Sequence, residues 1–498
     1  MRFRPTERAL HALVSRPVLL LLQGHALLVA AFAPYAAGIL LDTEPALYIG
    51  SLVVAGVIAW NFLSWRLAGR RAFEPYGLFL LAAAVFNGGH AILEIAGLNG
   101  ESVLAGGVPP DTARLALHLV AIGLAALHLG ALAAAAPEKR HRAHRWNGNY
   151  DLARQQAMRV VGWWCLAIAA IPMILVLRDA LVVVGSQGYS GLYNRSRETQ
   201  LPGFTQAMAG FLIPGAMFLA GGSGARKIPA RAAALLIMLY AGVMMAAGSR
   251  APATMVLTAF AWLYHRTVRP ISTAVRTMVA AALLVAFPLL AAVRNTPGIW
   301  RDPGAIVLAA ASQTNPIVAA LSEMGNSLLT VAHTLTLVPS ARPYDLGSSY
   351  AYAMSALVPN IGWDLHPMVA HGLWADWLIR AVDPTRAAVG GGLGFSFIAE
   401  AYANFGWCGT AVFLAALGWL LNRLFDWGIA AGDPARYAMI ATFLAFFLIF
   451  ARGESAAVMR GLGWYAALPY GCVCLFARRR VRRLPAALRS TRATLEGS

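Results

Sequence analysis

Charge, lysine and cysteine are all scarce in this chain. Of its 498 residues only 12% are charged, while 59% are hydrophobic and the mean hydropathy is +0.61. Soluble domains carry about twice that share of charge, so a string of soluble domains is excluded, although the length alone would suggest about three. Lysine is confined to Lys139 and Lys227, which leaves the 40 basic residues almost wholly arginine. The four cysteines (Cys165, Cys408, Cys472 and Cys474) lie in apolar surroundings. They are too few for a disulfide framework or a zinc site and read as packing residues. Also missing are a phosphate-binding glycine loop, a DNA-reading motif, an internal repeat and the inverted hydropathy halves of a transporter. With no nucleic-acid motif, the net charge of +18 needs another explanation.

Long apolar runs supply it. A bilayer-spanning helix needs about 20 mostly apolar residues, and about twelve such runs are expected, at 17–40, 46–65, 75–97, 113–136, 158–183, 203–222, 231–247, 252–265, 275–293, 406–423, 436–451 and 457–476. The fold class is therefore an all-α polytopic membrane protein. Arg2, Arg4, Arg8 and Arg16 precede the first run, and Ala31-Phe32-Ala33 mimics a cleavage site. The run is longer than a signal peptide's apolar region, so an uncleaved anchor is expected. Placing both termini in the cytoplasm assigns 28 basic and 7 acidic residues to the inner face, against 12 and 15 to the outer. The inner face then carries +21 and the outer −3, as the positive-inside rule requires. The expected organisation is a bundle over 1–293 and an outer segment over 294–405, then spans over 406–476 and a basic cytoplasmic tail over 477–498. Within the outer segment, 306–337 and 367–379 are expected to form helices lying on or re-entering the membrane surface.

Arginines on the outer face run against the insertion bias, and each needs a reason. Arg250 lies in Gly248-Ser249-Arg250-Ala251-Pro252, Arg294 directly follows span nine, and Arg452 lies in Ala451-Arg452-Gly453-Glu454. Three outer connections thus present an arginine at one membrane depth, and Arg195 with Arg197 adds a fourth position. A guanidinium fork matches phosphate oxygens and keeps its charge where solvation is poor. The set reads as a phosphate or pyrophosphate clamp, with lipid headgroups or local acids such as Glu454 as the plainer partners. Glu400 and Glu323 are carboxylates in apolar stretches, and either could act as a general base or as a partner for an arginine. His333, His366 and His371 are imidazole alternatives. Glu94, with Asn87 and His90, places an acid within a span. Asp42 and Glu44, in the first outer turn, could hold a divalent cation or could simply be tolerated outer acids. Trp363, Trp374 and Trp377 could offer sugars a stacking surface or mark the interface.

With these residues in place, the chain resembles the Wzy-type polymerases of O-antigen and related bacterial surface polysaccharides. The likeness rests on the Gly-Ser-Arg-Ala-Pro turn, on Arg294 before a long outer loop, and on Leu346-Gly347-Ser348-Ser349-Tyr350 followed by Leu357-Val358-Pro359. Its strongest element runs from Gly394-Phe395-Ser396 through Glu400, Tyr402 and Asn404 to Gly406. The resemblance implies a GT-C-like glycosyltransferase of the inner membrane that joins oligosaccharide repeat units carried on undecaprenyl pyrophosphate at the periplasmic face. It implies a lipid-linked donor and a lipid-linked acceptor, surrounding membrane lipids and a chain-length regulator as partners, and no cofactor, metal or nucleic acid. In that reading Arg250, Arg294, Arg452 and Arg195 bind pyrophosphate and Glu400 or Glu323 is the base, with His371, Glu454, Tyr402 and Asn404 as further candidates. A ligase that moves the chain to another acceptor, and a flippase for lipid-linked oligosaccharide, remain open alternatives.

Overall fold

The structure, a computed structural model, describes residues 15–99, 104, 107–135, 148–192, 201–224, 226–293, 304, 315–358 and 363–482. Among these residues all regular structure is helical. Helix α1 (Arg16–Leu40) opens with a proline at its start, where a missing N–H costs nothing. It leads through Leu41 and Asp42 into α2 (Thr43–Leu67), whose N-cap is Asp42 and whose first turn holds Glu44. Negative charge is favourable at that end of a helix. Asp42 and Glu44 are both exposed, and no group of three or more potential metal ligands occurs among the described residues.

The chain continues with α3 (Pro75–Ile95), α4 (Pro110–Ala134) and α5 (Gly148–Gln187), then α6 (Gly203–Ala209) and α7 (Leu212–Gly221). Helices α8 (Lys227–Ala246), α9 (Arg250–Thr267) and α10 (Thr273–Val293) follow. Among the described residues, nine helical stretches are long and apolar enough to cross a membrane. They are α1 to α5, the α6–α7 pair, α8, and two later ones, α17 (Phe397–Ala430) and the stretch begun by α18 (Pro434–Phe447). These coincide with expected spans one to seven, ten and eleven. The other three expected spans are helical as well, at α9, at α10 and over 457–476. The last of these is divided into α19 (Ala456–Arg460), a π-helical turn (Gly461–Ala467) and α20 (Leu468–Arg482).

Helix α4 is the centre of the bundle, with 89% of its most apolar window buried against 22% for α1 and for α8. Its crossing with α17 depends on absent side chains. A Cβ on Gly130 would lie 1.7 Å from the Ala415 carbonyl oxygen, and one on Gly418 would lie 1.9 Å from that of Leu127. Backbones that close leave room for nothing larger than glycine. Asn422 Nδ2 adds a hydrogen bond of 3.1 Å to Ala131 O across the same seam.

Ion pairs gather at one end of the bundle. Arg70 binds Asp426 through two 2.7 Å contacts, Arg154 pairs with Asp433, and Arg266 lies 3.3 Å from Glu74. These pairs tie together the connections that the charge bias assigns to the cytoplasm. At the opposite end the segment after α10 is folded rather than extended. It forms α11 (Pro316–Gly325), α12 (Ser327–Leu337), α13 (Ser348–Ser355), α14 (Pro367–His371), α15 (Trp374–Val382) and α16 (Pro384–Ala388). Helix α11 packs on α3, and α12 packs on α4. Within the helices expected over 306–337 and 367–379, the structure shows α11 with α12 and α14 with α15, in shorter pieces than single spans, while 306–314 lies outside the described residues.

Candidate functional site

The motif that opens α17 organises the outer end of the molecule. Helix α17 begins at Phe397, because Ser396 is extended and caps it. Ser396 Oγ accepts from Ile398 N at 3.2 Å and donates to Asn87 Oδ1 on α3 at 2.7 Å. At Gly406 the backbone turns to φ 65°, ψ −164°, a conformation other residues rarely adopt. The helix therefore breaks there before resuming as a span. Residues 397–405 form a separate short helix facing the outer segment.

Glu400 is fully buried in that short helix. Its Oε2 accepts from Ser455 N at 2.7 Å, and its Oε1 accepts from Ser455 Oγ at 2.6 Å and Ser349 Oγ at 3.2 Å. Asn404 lies one turn further along the same face, as helical spacing requires. It donates to Ser349 Oγ and to Glu400 O, both at 2.8 Å, and its Oδ1 accepts from Gly347 N at 2.8 Å. Tyr402 donates to Val338 O at 3.3 Å and contacts the Tyr344 hydroxyl at 3.5 Å. Two distant segments, 344–349 and 451–455, are thereby fastened to one helix.

The second of these segments carries Arg452, the last residue of a 3-10 turn (Leu448–Arg452). Asn87 Nδ2 donates to Ala451 O at 2.9 Å and Phe395 N to Arg452 O at 3.4 Å, while the guanidinium lies 5.9 Å from the Phe86 ring centre. Two residues on, the carboxylate of Glu454 accepts from Trp374 N at 2.8 Å and Ala375 N at 3.2 Å, capping α15. Burial pushes the Glu454 carboxyl up to about 7, against the opposing pull of those two N–H groups; nearby Asp376 adds to the rise and Arg342 opposes it.

Arg250 is the first residue of α9, largely buried, and forms an ion pair with Glu323 of α11. Gly89 of α3 lies against Leu321 and Gly325 of that same helix. Helix α9 also contacts the Leu448–Arg452 turn. Arg452 thus stands beside Phe86 of α3, while Arg250 is tied to α11, the helix that packs on α3 at Gly89. Arg294 and Arg195, like Arg197, lie outside the described residues.

The remaining candidates are placed as follows. His371 ends α14, and its Nε2 donates to Asp345 Oδ2 at 2.9 Å. His366 caps α14 and bonds Val358 O at 3.1 Å, whereas His333 lies within α12. Glu94 accepts from Asn99 Nδ2 at 2.8 Å. Trp374 is fully buried, with the Arg342 guanidinium 3.7 Å from its ring centre, so its face is unavailable to a sugar. Trp363 is exposed. Ser349, Ser455, Asp345 and Arg342 complete the arrangement; none was a candidate site residue in the sequence, although Ser349 lies in the Leu346–Tyr350 motif. A serine or an aspartate in a loop has no periodic signal, and only the segment around Gly347, whose φ is 92°, marked one of these positions.

Residues 31–483 match the family of the O-antigen polysaccharide polymerase Wzy. The chain belongs to that family. The match spans nearly the whole chain, well beyond the stretch from about 240 to 460 on which the motifs alone rest. Membership makes this a multi-pass membrane protein of a polymerase family of glycosyltransferase type, acting on lipid-linked oligosaccharide repeat units. No curated protein and no solved structure matches the chain. The Wzy match includes the Gly-Ser-Arg-Ala-Pro turn, the Glu400 motif and the Arg452 turn alike.

Proposed function

We propose that the chain joins oligosaccharide repeat units carried on undecaprenyl pyrophosphate at the periplasmic face of the bacterial inner membrane. The scaffold in this reading is GT-C-like, with about twelve spans and both termini in the cytoplasm. The growing chain leaves its lipid carrier and passes to a hydroxyl of the next lipid-linked unit. The acceptor oxygen attacks the anomeric carbon from the face opposite the leaving group, and the configuration inverts. As the glycosidic bond breaks, its electron pair goes to the lipid pyrophosphate, whose rising negative charge must be stabilised.

Arg250 and Arg452 supply that stabilisation, joined by Arg294 and Arg195. The observation that carries the reading is that Arg452 lies beside Phe86 of α3 while Arg250, from a separate connection, pairs with α11, the helix packed on that same stretch of α3. Positive charge there runs against the insertion bias and lies where a lipid headgroup would stand. Glu323 orients Arg250, and Glu400 fixes the turn of Arg452 through Ser455. In this role the two carboxylates position the clamp.

Purified protein in lipid vesicles, given one type of lipid-linked repeat unit and nothing else, tests the proposal. A ladder of products that grows by whole repeat units is expected. Transfer only when a different acceptor is added would mean a ligase. Movement of the unit across the vesicle membrane without elongation would mean a flippase, and either result overturns the reading.

A further inference from the structure

The polymerase reading needs a group to remove the acceptor's proton, and the two carboxylates are already engaged. Glu400 is sealed from solvent and accepts hydrogen bonds on both oxygens, while Glu323 is held against Arg250. His371 is differently placed. Its Nε2 donates to Asp345 Oδ2 at 2.9 Å, and its ring stacks on Tyr352 with centres 4.4 Å apart and planes 16° from parallel. Asp345 is itself fixed, its N–H donating to Ala403 O at 3.0 Å and its other oxygen lying 3.5 Å from Arg342. The aspartate is thus anchored to the same short helix that carries Glu400. A carboxylate on one imidazole nitrogen holds the proton there and leaves the lone pair on the other. Here that other nitrogen is Nδ1. It has no hydrogen-bond partner among the described residues and is not among the fully buried polar atoms.

We propose that His371 is the general base of the polymerisation and that Asp345 is its positioning residue. The proposal rests on the polymerase reading. The acceptor hydroxyl gives its proton to Nδ1 as its oxygen bonds to the anomeric carbon, and the pyrophosphate leaves with the electron pair of the broken bond. The imidazolium is balanced by Asp345 and later releases its proton to water. Position supports the assignment. His371 lies three positions before Trp374, so their Cα atoms are at most about 11 Å apart. Trp374 N lies 2.8 Å from Glu454, two residues from Arg452. The charged and titratable groups against the ring are Asp345 and Tyr352 on α13, with Arg342 on the other oxygen of Asp345.

The test compares wild type with His371→Ala, His371→Gln and Asp345→Asn in the same vesicles, with lipid-linked repeat unit as substrate. Both His371 variants should elongate at least about 100-fold more slowly while still binding the lipid-linked unit. Added imidazole should partly restore His371→Ala, and the residual rates should lose the acidic limb of the pH profile. Asp345→Asn should lower kcat while leaving KM for the lipid-linked unit unchanged, because the ring loses the partner that orients it. Elongation by both His371 variants within about threefold of wild type would overturn the assignment. So would a slow His371→Gln that keeps the wild-type acidic limb, joined with no imidazole rescue of His371→Ala. A wild type that makes no ladder would instead overturn the polymerase reading beneath it.

Discussion

Glu400 shows how much one buried carboxylate can hold. It receives three hydrogen bonds from two serines that are 51 and 55 residues away in sequence, so its removal would orphan donors in two segments at once. Glu400→Ala is expected to destabilise the folded protein by about 3 kcal/mol, since each buried unsatisfied group costs about 1–3 kcal/mol. Glu400→Gln keeps one acceptor oxygen for Ser455 and should retain polymerisation within about tenfold, whereas loss of a proton acceptor would cost about 100-fold or more. Comparing thermal midpoints and elongation rates of the two variants separates the roles. Glu454 gives a second prediction at this scale. Its carboxyl lies near an ordinary 4.5 when unfolded and is raised to about 7 when folded. The folded state therefore holds the proton more tightly, and this group's contribution to stability falls as pH rises from about 4.5 through about 7. Thermal midpoints should show that decline, and Glu454→Gln should flatten it.

At the scale of elements, the apolar runs were legible because a bilayer demands length and apolarity from each span. Spans one to seven appear where hydropathy puts them. Span ten was legible only in part: the run begins at 406, but Phe397–Phe405 is also helical, and only the φ of Gly406 separates the two. Hydropathy cannot report a backbone dihedral. The Glu400 motif was visible as a cluster of polar residues at helical spacing, yet its serine partners were not, because their contacts are set by tertiary folding. Trp374 went the other way. Its composition suggested a sugar platform, and packing against Arg342 and Phe395 uses that face instead. The α4–α17 seam yields a direct test. Gly418→Val must push the α17 backbone away from Leu127 and should lower stability by about 1–3 kcal/mol or more, seen as a lower thermal midpoint in detergent.

Across the whole molecule, the +18 divides between two tasks. In the proposed orientation most of the arginines belong to the cytoplasmic connections and set the topology. A minority would stand where the positive-inside rule disfavours them; among these, Arg452 lies beside Phe86 of α3 and Arg250 pairs with Glu323 of α11, the helix packed on α3. The outer segment folds over this region as short helices, fastened to the bundle through α17 and the 451–455 turn. The Arg452 turn and the segment around Ser349 are thus held by one hydrogen-bonded network. Its central claim is that an outer-face arginine stabilises the departing pyrophosphate. The most direct measurement is the initial rate of ladder formation by wild type and Arg452→Ala in vesicles with a single lipid-linked repeat unit. Removing one such donor is expected to slow elongation by about 100- to 1,000-fold with insertion unchanged. Equal rates for the two proteins would contradict it.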